Sequence, residues 1–569
     1  MTRWSGSGLA PGTAVAPARR TGGPPPDAAA VPVDPARVEE AFRAVAADLE
    51  TIAARARSAG RKTAADIVEA GALIATDPML IEAARRAAAA PDPLAAITRA
   101  VDEHARVLES LPDETLRERA ADVRQVGRRV LDRLARPGPE GGDGRGRREP
   151  AGAAAEGAGF VLLAEELGPA DLLEHLGQGL VAAVTVRGGA NSHAAIVARS
   201  AGLPLVAGVA PDLLDVPDDT PVLVDADAGL VVADPPEDEI ARAGRAAARE
   251  RDRRAALAAE RGLPHRTADG RAFTVACNVA TDVEAHAGRV SGAAGIGLLR
   301  TELPFLEFER WPAEADHRRA LRPILAEASG WPVTLRLLDF ANDKIPPFLR
   351  GTAAGLDALL RRTDALEAQI RAAVQVRGEA ELRVMVPMVT RPGQVRTVRA
   401  VVEAVVARLR EDGLAPPAAV PVGAMIETVE AVAEIAALCE VCDFVSIGTN
   451  DLTAQVLGLD RRDGRARPEL AAHPRVLEPV GRVVAAAGEA GVPVSVCGDS
   501  GAHPVTLPLL LGAGVRDFSV ACARVDEVRY RLRRLRAADC AGLYAEALTL
   551  ADAEQVAGLV RRRAEVPLP

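Results

Sequence analysis

Between residues 265 and 569, eight mostly apolar, β-branched runs alternate with runs of helical spacing. They are Phe273–Ala280, Gly295–Glu302, Val333–Phe340, Leu382–Val389, Val422–Thr428, Asp443–Thr449, Val492–Gly498 and Asp517–Ala521. Strands of a parallel sheet read this way, because helices cover both faces and neither side faces water. Eight such units in roughly 250–300 residues predict a (β/α)8 TIM barrel, with chemistry at the C-terminal ends of its strands. Several runs end in polar or reactive groups: Arg300 with Glu302, Asp339, Glu427, Asn450 with Asp451, and Cys497.

The rest of the 569-residue chain is long enough for further domains at roughly 100–200 residues each. Residues 1–34 are rich in Pro and Gly, with at most a short strand at Thr13–Ala16. Residues 35–136 read as an all-α module, with Val38, Phe42, Val45 and Leu49 at helical spacing. Asp34 before Pro35 is a candidate N-cap with proline at the first helical position. Residues 137–158 form a Gly- and Pro-rich linker. Residues 159–234 are an α/β unit with strands at Phe160–Ala164, Val181–Val186, Leu205–Ala207 and Val222–Asp225. Residues 235–264 carry a charged helix, polar nearly all round, that suits an exposed connector. The fold class is therefore α/β multidomain, with an all-α helical domain inserted ahead of the smaller α/β unit and a barrel at the end.

Composition removes several functions. Net charge is −10, which argues against nucleic acid and anionic membrane surfaces as partners. Aromatic residues are 2% of the chain, too few for platforms that stack bases or sugars. No run of 18 apolar residues exists, so no membrane insertion is expected. The first residues lack the apolar core of a signal peptide. Six cysteines in such a chain do not make a disulfide scaffold, and a cytoplasmic location is expected. Cys439 and Cys442 form one CxxC without a second pair at zinc spacing, so a helix end before a strand is the simpler reading.

Three groups of residues could carry chemistry. In Gly188-Gly189-Ala190-Asn191-Ser192-His193, two glycines precede a helix starting near the histidine. The helix N-terminus favours an anion, and a neutral imidazole is a good phosphoryl acceptor. A surface histidine at a helix start is the alternative. Glu427 and Asp451, with Asn450 beside them, are hard oxygen ligands suited to Mg2+ with positions left for phosphate and water. Two acids in structural ion pairs are the alternative. Arg300, Arg336 and Arg461 could clamp a carboxylate and a phosphate. Cys497 in VSVCGDSG could be a proton donor, a nucleophile or an ordinary buried thiol.

These segments resemble the phosphoenolpyruvate-protein phosphotransferases, the Enzyme I family of the bacterial sugar phosphotransferase system. The matching stretches are GGANSHAAIVARSAGLPLVAG (188–208), DFVSIGTNDLTAQVLGLDR (443–461), GIGLLRTELPF (295–305), LRLLDFANDK (335–344), VGAMIETVEA (422–431) and VSVCGDSGAHPVTLPLLLGAG (494–514). LRERAADVRQVGRRVL (116–131) is similar to the family's carrier-binding helices. The resemblance implies that His193 is phosphorylated and that Cys497 protonates the enolate. It implies that Arg300, Arg336, Asn450 and Arg461 bind phosphoenolpyruvate, and that Glu427 and Asp451 hold Mg2+. Asp339 would act beside the substrate.

The resemblance further implies a swivelling phosphohistidine domain at 159–234, joined by residues 1–34. A helical phosphocarrier-binding domain would occupy 35–136 and a phosphoenolpyruvate-binding TIM barrel 265–569, with hinges at 137–158 and 232–264. The partners it implies are an HPr-like phosphocarrier protein and a second copy in a homodimer through the barrel. Several positions depart from the family pattern. They are Ala190, Asn191, Asp499, Ala454, Gly71, the ANDK of 341–344 and the GLDALLRR of 355–362, where Asp357 stands in a stretch that usually carries arginines. These departures leave open a paralogue serving a non-sugar carrier, or a weakly active regulatory carrier-binding protein.

Overall fold

A computed structural model describes residues 2–21, 33–58, 62–109, 114–135, 159–189, 193–340, 345–350, 355–459 and 467–569. The chain forms two compact units, Met1–Asp252 and Arg253–Pro569.

The first unit contains an eight-stranded sheet and a helical module. Its strands are β1 (Thr2–Ser5), β2 (Ser7–Ala10), β3 (Thr13–Arg20), β4 (Phe160–Ala164), β5 (Leu180–Thr185), β6 (Leu205–Ala207), β7 (Pro221–Asp225) and β8 (Leu230–Ala233). They run in the order β1-β8-β7-β3-β4-β5-β6-β2. The reading of residues 1–34 as a loop with one short strand is corrected here. That stretch supplies three strands, and β3 runs eight residues, pairing with β7 and β4. β1 and β2 add antiparallel edges on β8 and β6.

The helices are α1 (Pro35–Ser58), α2 (Lys62–Ala75), α3 (Pro78–Ala87), α4 (Pro93–Glu109), α5 (Glu114–Leu134), α6 (Pro169–Leu176), α7 (His193–Ala201) and α8 (Glu237–Ala259). Asp34 caps α1, accepting the Ala36 N–H at 2.8 Å. Val38, Phe42, Val45 and Leu49 are all buried in one aliphatic core. The predicted linker at 137–158 lies outside the described residues. The boundary between the units falls within α8, whose Glu239 pairs with Arg3 in the first unit. Its Arg253, already in the second unit, pairs with Glu527 there, and most positions along the helix are exposed.

The second unit is the expected closed barrel. Its strands are β9 (Thr274–Val279), β10 (Ile296–Leu299), β11 (Pro332–Arg336), β12 (Glu381–Val386), β13 (Val422–Ile426), β14 (Val445–Ile447), β15 (Val494–Val496) and β16 (Asp517–Ala521). All pair in parallel, and β16 returns to β9 from Asp517↔Thr274 to Ala521↔Asn278. Each predicted run overlaps one strand; β11 and β12 begin one residue earlier than predicted, β16 matches its run, and all the other strands stop short of the runs' C-terminal ends, where the loops of the mouth begin. Among the described residues no helix is long and apolar enough to cross a membrane.

Candidate active site

His193 begins α7 in the first unit. Gly188 ahead of it has φ +144°, and a Cβ there would lie 3.3 Å from Ala207, a conformation and space that suit glycine. The His193 Nδ1 is 3.1 Å from Oδ2 of Asp122 on α5 and 3.4 Å from its Oδ1. Arg119 donates to the same buried carboxylate at 3.1 Å. A carboxylate against Nδ1 favours the tautomer protonated there and leaves the lone pair on Nε2. Nothing in the sequence around His193 marks Asp122, which lies 71 residues upstream on another helix. Ala190 and Asn191 lie outside the described residues.

The remaining candidates belong to the second unit, at the C-terminal mouth of the barrel. Arg336 ends β11 and is buried. Its Nη2 donates to Glu302 Oε1 at 2.5 Å, and its Nη1 lies 3.0 Å from Asp339 Oδ2. Burial alone would lower the guanidinium's pKa, but Glu302, Asp339 and Glu427 outweigh it, and the group is held more firmly charged than usual. Arg300 follows β10, half-buried, with its N–H on the Val279 carbonyl. Arg461 lies outside the described residues.

Glu427 follows β13 and is fully buried. Its Oε1 accepts the Met388 N–H at 2.7 Å. Met388 holds φ +50°, a left-handed conformation that a non-glycine residue adopts at a cost of about 1–3 kcal/mol. Burial, then Asp339 and Asp451, push the Glu427 carboxyl up to about 8, against Arg336 and the Met388 N–H. Opposite it stands Gly448, where a Cβ would meet Glu427 Oε2 at 2.7 Å. Asp451 and Asn450 occupy the first turn of the helix Thr449–Leu457 rather than a strand end. Asn450 is engaged at both ends of its amide, donating to Asp499 Oδ2 at 2.9 Å and accepting the Asp499 N–H at 3.1 Å. The Asp499 departure thus sits directly against a candidate substrate ligand. Asp357 accepts from Gln394 at 3.0 Å.

Cys497 follows β15 and is buried beside Leu298, Met385, Met425 and Phe444 inside the barrel. Burial pushes its thiol up to about 11, against a hydrogen bond with Ser446 that lowers it. The thiol is therefore protonated at neutral pH, which fits an acid better than a nucleophile. Asn278 on β9 donates to the Cys497 carbonyl at 3.1 Å and accepts from Ser519 at 2.6 Å. Asp122, Met388, Gly448 and Asn278 are the supporting residues that sequence reasoning missed.

Among the described residues no three His, Cys, Asp or Glu side chains close on one point. Mg2+ often takes one or two carboxylates and completes its shell with substrate oxygens and water. The donors here are all oxygen, and Asp339 and Asp451 add to the burial that raises the Glu427 carboxyl. These residues fit a small, hard dication.

Three family models match along the chain. They are PEP-utilising enzyme, N-terminal (residues 5–119), PEP-utilising enzyme, mobile domain (156–229), and PEP-utilising enzyme, PEP-binding domain (254–537). The chain is 36% identical over 471 residues to a multiphosphoryl transfer protein of Rhodobacter capsulatus, covering 81% of this chain and 55% of that protein. It is 33% identical to a phosphoenolpyruvate-protein phosphotransferase of Cupriavidus necator, covering 82% of each chain. It is 29% identical to one from Priestia megaterium, covering 93% of each. The chain belongs to the phosphoenolpyruvate-protein phosphotransferase family. It spans about half the length, 55%, of the multiphosphoryl transfer proteins it matches.

Proposed function

We propose that this chain moves the phosphoryl group of phosphoenolpyruvate to its own His193, then to a histidine of a small HPr-like phosphocarrier, releasing pyruvate. In this reading it performs the first step of a sugar phosphotransferase system. The observation that carries the proposal is the His193–Asp122 pair. An imidazole at a helix start with its Nδ1 against a buried carboxylate is a prepared phosphoryl acceptor.

Phosphoenolpyruvate would sit in the barrel mouth, with Arg300, Arg336 and Arg461 on its phosphate and carboxylate and Asn450 beside them. Glu427 and Asp451 would hold Mg2+, which neutralises charge on the transferring group when bound. The Nε2 lone pair of His193 forms the N–P bond as the bridging P–O bond breaks. The Nδ1 proton stays in place, and Asp122 stabilises the positive charge that develops on the ring. The enolate left behind takes the Cys497 proton at its methylene carbon and becomes pyruvate. Because His193 and Cys497 belong to different units, the reaction needs the two units to bring them to one substrate, with 137–158 and 232–264 as the proposed hinges.

Unloading requires a docking face for the carrier. Leu73 near the end of α2 and Met79 at the start of α3 are 71% and 74% exposed, which supports an apolar contact there. The reading places the chain in the cytoplasm, where Cys497 stays reduced, and as a homodimer through the barrel.

Incubation with 32P-labelled phosphoenolpyruvate and Mg2+ tests the proposal. Acid-labile label and stoichiometric pyruvate are expected, both lost in His193→Ala. Absence of label, or label surviving that substitution, would overturn it. Transfer from the labelled chain to purified carriers then identifies the acceptor.

A further inference from the structure

The backbone ladder between β10 and β11 ends at Leu299↔Leu335. Arg336 and the loop carrying Thr301 and Glu302 lie just beyond it, so their mutual position is set by side chains. One residue closes the gap from behind. Gln369, on the helix Thr363–Val376, is fully buried. Its Oε1 accepts the Leu338 N–H at 3.1 Å, and its Nε2 donates to Thr301 Oγ1 at 2.8 Å. The Thr301 hydroxyl in turn donates to the Arg336 carbonyl at 2.8 Å. The next residue, Glu302, takes the Arg336 guanidinium at 2.5 Å.

We propose that Gln369, acting through Thr301, is a positioning residue that sets where the Arg336 guanidinium stands in the barrel mouth. The inference rests on the reading that Arg336 meets the substrate phosphate. The direction of the chain is fixed. A backbone N–H can only donate, so Leu338 assigns Oε1 and leaves the NH2 facing Thr301. With its oxygen occupied as an acceptor, the Thr301 hydroxyl has one proton, and that proton goes to Arg336. The end of β10 and the end of β11 are thereby tied together: Thr301 holds the Arg336 carbonyl, and Gln369 joins Thr301 to the Leu338 N–H. An apolar residue of similar size would fill the same space. It would leave the Leu338 N–H unpaired and free the Thr301 rotor.

An ionised glutamate at 369 would keep its volume and the Leu338 bond but turn the second group into an acceptor. Thr301 would then donate to residue 369 and release Arg336. Valine at 301 removes both bonds at constant shape, and serine restores the hydroxyl.

The test measures KM for phosphoenolpyruvate, kcat for pyruvate release and melting temperature for Gln369→Glu, Thr301→Val, Thr301→Ser and Arg336→Lys. Gln369→Glu and Thr301→Val should raise KM about tenfold, the scale of one lost buried hydrogen bond, with kcat changed far less. Thr301→Ser should restore it. If Thr301→Val lowers the melting temperature but leaves KM unchanged while Arg336→Lys raises it, the network is structural and the inference is overturned. If Arg336→Lys also leaves KM unchanged, the reading of Arg336 as a phosphate ligand falls, and this inference falls with it. Should Gln369→Glu not fold, the Thr301 pair decides alone.

Discussion

His317 offers a perturbation whose size can be worked out in advance. It lies on the helix Glu314–Glu327, fully buried against the Phe305 ring at a centroid distance of 4.9 Å. Neither ring nitrogen has a hydrogen-bond partner among the described residues. Burial pulls its pKa from the ordinary 6.5 to about 4, against a weaker upward pull from Asp316. At about 1.4 kcal/mol per pH unit, a gap of 2.5 units between these values corresponds to roughly 3 kcal/mol.

The sign follows from proton counting. The unfolded chain takes up a proton here as pH falls below 6.5, whereas the folded chain does so only near 4. Between those values the unfolded state holds more protons, and stability falls with pH. His317→Leu removes this response. Urea unfolding of the barrel, followed by Trp311 and Trp331 fluorescence in a Trp4→Phe background, should show the variant as stable as the parent or more so at pH 7.5. The variant should gain on it by roughly 3 kcal/mol toward pH 4. A stability difference that stays constant across that range would refute the reasoning.

Three further outcomes concern the site. Asp122→Asn should slow phosphorylation of His193 by at least about tenfold, because the amide no longer fixes the Nδ1–H tautomer; rapid-quench labelling measures it. Gly448→Ala should raise the Mg2+ concentration needed for half-maximal labelling, since the new Cβ reaches the Glu427 carboxylate at 2.7 Å. An unchanged metal titration would sink that claim. Cys497→Ala should slow pyruvate release by roughly 10² while still binding phosphoenolpyruvate, which a coupled dehydrogenase assay and calorimetry separate.

The barrel was legible because its strands are buried on both faces, so apolar, β-branched runs announce them. The edges of the first sheet were not. β1 buries only Trp4 among its four residues, Thr2 to Ser5, and β8 is equally short. Strands this short carry little periodicity, and pairing to distant partners such as Val232 decides them. The groups proposed to touch reacting atoms stand out in the sequence as residue types near strand and helix ends. Their supports were not, because support is a matter of tertiary approach. Gln369 reads as one more polar residue on an amphipathic helix, and its burial follows from the loop packed over it. Met388 contributes a backbone N–H, which no side-chain motif can display.

The net charge of −10 invites the objection that such a chain should repel a strongly anionic substrate, and the site sharpens the objection. Arg336 stands among Glu302, Asp339 and Glu427, with Asp451 acting on Glu427. Even with Glu427 protonated, Glu302 and Asp339 offset the charge of Arg336, so the described residues around it offer an anion no net positive charge before a cation enters. Phosphoenolpyruvate should therefore bind at least about tenfold more weakly in EDTA than in Mg2+, a difference of about 1.4 kcal/mol, measurable by calorimetry. Asp339→Asn separates charge from geometry. It keeps an oxygen for the Arg336 Nη1 and deletes one negative charge, so in EDTA it should bind phosphoenolpyruvate more tightly than the parent chain. Weaker binding would mean that Asp339 serves to aim Arg336 and that the charge balance of the mouth does not govern entry.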